Sequence, residues 1–225
     1  MSSNTISIIT TIYWIVTYLI ICGIIPAALD KLIWRTFENK TSVWLNLLTL
    51  IAVNTIFLLT LIKKYQLKVS VLSSISMKGV LLAFACAILF YLLLDKFLDP
   101  FFDNIFVTSA DEYRRTISEL SRSPMVNFIR ICLLAPVVEE ILIRGIILSS
   151  LQNRYGAIFA LLASTLLFAV LHFNFVQTLS AIICGLVLGL LYINTGSLFT
   201  CILAHSLYNT ISFFTSILIG KQKSI

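Results

Sequence analysis

The chain has 225 residues, 59% of them hydrophobic and only 12% charged, with a mean hydropathy of +1.01. No soluble domain of this size has that composition, and long apolar stretches argue for an all-α polytopic membrane protein. The net charge of +6 lies mostly on lysines and arginines between the apolar runs. That suits flanks resting on anionic head groups and speaks against nucleic-acid binding, which needs a basic face on a soluble module.

Seven runs of mostly apolar residues are long enough to span. They cover about 6–29, 43–62, 78–94, 126–150, 155–172, 176–193 and 197–219. The first is too long for a signal-peptide core and has no basic residue before Lys31, so it is read as a retained span. The polar stretch of about 95–124 carries Asp99-Pro100, Asp103, Asp111-Glu112 and Arg114-Arg115 among aromatic residues. It suits an interfacial helix, a partly inserted hairpin or a solvated loop; if it spans, the count becomes eight. No soluble domain and no internal repeat is visible. The chain divides into N-terminal membrane helices, 1–125, and a second bundle, 126–219, within one membrane domain. Lysines and arginines between the runs favour a cytoplasmic C-terminus.

The five cysteines, Cys22, Cys86, Cys132, Cys184 and Cys201, are isolated in apolar segments. Without a Cys-x-x-Cys pair they suggest neither a zinc knuckle nor a disulfide framework. They read as small buried hydrophobes.

The fourth run breaks the apolar pattern with Glu139, Glu140 and Arg144. An ionisable residue at membrane depth costs at least ~2.5 kcal/mol, so it marks a functional site by default. Glu140 and Arg144 are four apart and share a helix face, where a guanidinium holds a carboxylate. Glu139 lies about 100° round the helix and must find a partner elsewhere or carry a proton. Pro136 removes a backbone donor nearby and leaves carbonyls free beside the site. Ser164, Phe168 and His172 form a stripe at the end of the fifth run, and His205 and Asn209 share a face of the seventh. Gly185 and Gly189 let neighbouring helices approach, and Gly196 permits a tight turn. Each motif alone has a packing explanation. Together they expect a bundle of about seven to eight helices around a polar cavity.

The ordered set Glu-Glu-x-x-x-Arg, Phe-x-x-x-His and His-x-x-x-Asn resembles the CAAX-protease and bacteriocin-processing (Abi) family of intramembrane proteases. In this chain the motifs are Glu139-Glu140…Arg144, Phe168…His172 and His205…Asn209. The flanks also resemble the family's: Ala135-Pro136 before the glutamates, Gly145 after the arginine, and Leu188 to Leu198 before the last histidine. The resemblance covers about 135–209.

The resemblance implies a membrane endopeptidase in which Glu139 activates a water with help from His172. His205 and Asn209 would stabilise the oxyanion, and Glu140 and Arg144 would support the geometry. No cofactor is required in that reading. A divalent metal such as zinc would take Glu139, His172 and His205, yet His-Glu-x-x-His is absent. The implied partners are a membrane-associated protein or peptide substrate and membrane lipids, and the implied location is a bacterial cell membrane. A second reading is a non-catalytic immunity or regulatory protein of the same family. A third is a proton-coupled transporter, against which stands the lack of paired, Gly/Pro-interrupted segments in two halves.

Overall fold

In the computed structural model, residues 5–172 and 174–222 are described. Eight helices account for nearly all of them: α1 Ile8–Thr36, α2 Asn39–Tyr65, α3 Met77–Ile105, α4 Val107–Leu120, α5 over 124–155, α6 Ala157–Val170, α7 Phe175–Thr195 and α8 Leu198–Gln222. No strand occurs among the described residues. Helix starts are set by side chains that accept from the first turn. Ser7 Oγ accepts from Thr10 N–H, Ser76 Oγ from Gly79 N–H and Asn174 Oδ1 from Gln177 N–H. Gly156 at φ +87° and Gly196 at φ +61° turn the chain between α5 and α6 and between α7 and α8, conformations that need no Cβ.

Four helices, α1, α2, α3 and α7, are long and apolar enough to cross a membrane by themselves. Their outer faces leave Ile9, Ile56, Leu81, Phe84 and Leu190 exposed. So much exposed apolar surface belongs against hydrocarbon rather than water. The protein is an all-α polytopic integral membrane protein. α5 is the central helix: every residue from Leu142 to Leu148 is buried. A segment covered on all sides sits in the middle of a bundle.

Three helices contain prolines well inside their length, and each proline follows a wider π-helical turn. Pro26 follows Leu19–Ile24, Pro100 follows Tyr91–Leu98, and Pro136 follows Ile129–Leu134. A proline ring clashes with the carbonyl four residues back and offers no N–H; a turn closed by five residues relieves the clash. The helices therefore continue through their prolines.

The third run was expected to end at Asp95-Lys96, yet α3 continues to Ile105. The reason lies in partners on distant helices. Tyr208 donates to Asp95 Oδ1 at 2.9 Å and Ser180 donates to Asp99 Oδ1 at 2.6 Å. Both carboxylates face the bundle with hydrogen bonds and do not terminate the helix. Beyond it, 107–120 forms the separate helix α4.

α6 and α7 pack closely through the expected glycine face. A Cβ on Gly185 would lie 3.0 Å from Thr165 Cγ2 and 3.3 Å from the Thr165 Cα; one on Gly189 would meet side-chain ends alone, Leu161 Cδ1 at 2.5 Å and Leu148 Cδ1 at 3.4 Å. Gly185→Val should therefore destabilise by about 1–3 kcal/mol, as overpacking does. Gly189→Ala should cost less, and thermal unfolding in detergent compares the two.

Candidate active site

The site begins with a buried pair on α5. Arg144 Nη1 donates to Glu140 Oε1 at 2.8 Å, and both side chains are essentially without exposure, at 1% and 0%. Arg144 is held from two further sides. Its Nη2 donates to the Gly185 carbonyl at 3.1 Å, and its guanidinium carbon lies 4.7 Å from the centre of the Phe168 ring. The close approach of α7 at Gly185 brings that carbonyl within reach. The cation–π contact explains the phenylalanine at the start of the Phe-x-x-x-His stripe.

His205 of α8 joins the same carboxylate. Its Nδ1 lies 2.9 Å from Glu140 Oε1, so the ring N–H donates to it. With Nδ1 committed, Nε2 faces the other way, 3.9 Å from Glu139 Oε2. A line of polar contacts therefore runs from Arg144 through Glu140 to His205, whose far nitrogen faces Glu139. Glu139 itself is the more open carboxylate, 19% exposed against none for Glu140.

His172, at the end of α6, lies with its Nδ1 3.2 Å from the Phe168 carbonyl. A carbonyl only accepts, so Nδ1 carries the proton and Nε2 of the neutral ring presents a lone pair. Phe168 stacks edge-on against both imidazoles, with centroids 5.1 Å from His172 and 5.9 Å from His205.

Asn209 Nδ2 donates to the Ile131 carbonyl at 3.0 Å. That bond follows from Pro136. In the wide turn the Ala135 N–H bonds to the Arg130 carbonyl, five residues back. The Ile131 carbonyl would take the next N–H, which Pro136 lacks. Asn209 fills the vacancy from another helix and keeps one further amide hydrogen.

Glu139, His172, His205 and Asn209 all line one cavity of about 390 Å³. It is walled by five further helices around α5, since α3 contributes Asp99 and Asp103, α4 Thr116 and α7 Gln177. The expected site residues are thus brought together, with Glu140 and Arg144 directly beneath. Asp95 and Asp99 read in the sequence only as part of a polar stretch, and Arg130, Ser180 and Tyr208 carry no motif there. The one available signal was the four-residue spacing of Asp95 and Asp99, and it was hidden because both fall in what reads as a loop.

Among the described residues, no three His, Cys, Asp or Glu side chains converge in a way that could hold a metal ion. No step below passes through a metal.

Residues 121–211 match the family described as type II CAAX prenyl endopeptidase Rce1-like. The match spans less than half of the chain, but it includes all seven motif residues. No curated protein and no solved structure matches the chain significantly.

Removing one member of the buried pair leaves the other charge unpaired, which costs about 3–5 kcal/mol. Glu140→Gln and Arg144→Met should each lower the thermal midpoint sharply. The double variant should be destabilised by much less than the sum, and unfolding of the four proteins in detergent closes that cycle.

Proposed function

On the premise that residues 121–211 are of the type II CAAX prenyl endopeptidase Rce1-like family, we propose that the protein is an intramembrane endopeptidase that cleaves a membrane-associated protein or peptide by a glutamate-activated water. The observation that carries this reading is the shared cavity. It gathers the carboxylate of Glu139 and two imidazoles from three different helices in an otherwise apolar bundle.

Hydrolysis of an amide needs a base for water and donors where negative charge develops. Glu139 takes a proton from the water, and the oxygen attacks the scissile carbonyl carbon. The bare Nε2 of His172 accepts a hydrogen bond from the same water and orients it. His205 donates from Nε2 to the oxyanion when both its nitrogens are protonated. In that state Glu140 sits against the ring's positive charge, and Arg144 in turn holds Glu140. The free amide hydrogen of Asn209 supplies a second donor. When the intermediate collapses, the C–N bond breaks and the proton held on Glu139 passes to the leaving amine. Glu140 and Arg144 act through His205 and do not touch the substrate.

Glu139→Ala and His172→Ala should each reduce cleavage by about 10²-fold or more, the usual weight of general acid–base catalysis, with the thermal midpoint little changed. Membrane proteomics of cells carrying Glu139→Ala should reveal an uncleaved substrate that accumulates. Cleavage of that substrate at the wild-type rate by either purified variant would overturn the assignment. If the cellular role survives Glu139→Ala, that role is one of binding and not of hydrolysis.

A further inference from the structure

A second cavity touches Glu139. It measures about 120 Å³, lies between α1, α2 and α5, and is lined by Tyr18, Cys22, Asn54, Arg130, Val138 and Glu139 among others. Arg130, Ala135 and Glu139 line both cavities. The Glu139 carboxylate therefore stands on the wall between them.

Asn54 gives the smaller cavity its character. It is only 6% exposed, and Nδ2 donates to the Leu50 carbonyl one turn back at 2.8 Å. Its Oδ1 is fully buried and accepts from no protein group. A buried acceptor left unmet is destabilising, and a bound water removes that cost. A water needs roughly 10–15 Å³ of such space together with polar partners; the cavity offers far more room, and Tyr18 and Glu139 supply the partners beside Asn54. An acyl chain in the same place would leave Asn54 Oδ1 unmet.

Hydrolysis consumes one water per bond broken. A substrate seated in the larger cavity covers Glu139 from that side and shuts out the water there. The smaller cavity reaches the same carboxylate from behind. We infer that the cavity between α1, α2 and α5 stores water and passes it by Glu139 to its place between Glu139 and His172 at each turnover, with Asn54 as a positioning residue. This rests on the endopeptidase reading for its chemistry. One proton of the water goes to Glu139, its oxygen bonds to the scissile carbonyl carbon, and the second cavity refills once the products separate. α1 and α2 lie outside the 121–211 match, so the wall of this cavity that carries Asn54 belongs to the part of the chain without a family motif.

Two measurements test the inference. Hydroxyl radicals generated from bound water oxidise the side chains beside it, even buried ones. Under X-ray irradiation of the purified protein in detergent, Cys22, 6% exposed, should oxidise well above Cys201, which is 0% exposed. In Asn54→Leu the labelling of Cys22 should fall to that of Cys201. Equal labelling of the two cysteines in the wild type, or unchanged labelling in Asn54→Leu, would overturn the water site without reference to any substrate.

The second measurement uses the substrate that accumulates with Glu139→Ala. Asn54→Leu should lower kcat about tenfold with KM unchanged, while Asn54→Asp, which keeps an acceptor, should retain most of the rate. Cys22→Phe, which fills the cavity from α1, should reproduce the loss with Asn54 intact. A wild-type kcat in both Asn54→Leu and Cys22→Phe would overturn delivery by this route. If Glu139→Ala cleaves normally, the base assignment fails while the footprint of the water still stands.

Discussion

The buried chain Arg144–Glu140–His205 constrains everything around it. Moving an ion from water into a protein interior costs several kcal/mol even after relaxation. Here the cost is met by contacts from four helices. α5 supplies both members of the ion pair, α7 the Gly185 carbonyl, α6 the Phe168 ring and α8 the His205 N–H. None of these contacts survives a one-residue slip of its helix. The polar groups thus fix the register of a bundle whose apolar side chains pack in many ways. In lipid, where the hydrophobic effect does not hold helices together, such fixing falls to hydrogen bonds and close packing.

The prolines act on the same geometry. A regular helix through Pro136 would set its ring against a carbonyl; the wide turn before it avoids the clash and leaves the Ile131 carbonyl without a backbone donor. Asn209 supplies that donor from α8 at 3.0 Å. One proline on α5 and one amide on α8 are therefore a single device that docks the two helices at the depth of the glutamates. Below it, Glu140 turns to Arg144 and Glu139 to the cavities, because neighbouring residues on a helix point about 100° apart. Two adjacent identical side chains thereby acquire different tasks, one holding a histidine and the other facing water.

Much of this is legible in the sequence because membrane-depth charge is rare. Glu139, Glu140 and Arg144 stand out in an apolar run, and the spacing of Glu140 and Arg144 anticipates their bond. The His and Asn motifs give their helices by periodicity alone. What stays hidden depends on contacts far apart in the chain. Asp95 and Asp99 read as the end of a span, since their partners Tyr208 and Ser180 lie 113 and 81 residues away. The bond between His205 and Glu140, 65 residues apart, ties the expected oxyanion donor to the buried ion pair. Asn54 resembles any polar residue in a span; only the cavity beside it distinguishes its free oxygen.

The boundary of the family match bears on how the parts divide. The seven motif residues fall within 121–211, whereas Asp99, Asp103 and Thr116 of the main cavity and all of α1 and α2 fall outside it. A reaction constrains its groups to a few tenths of an ångström, so the chemistry stays with the motif helices. The cavity wall answers to whatever is cut. Asp103 is 3.5 Å from Arg114 of α4, which ties the polar helix to the end of α3 at the rim. On the proposed endopeptidase reading, selectivity for a substrate falls to α3 and α4, outside the helices that carry the motif residues.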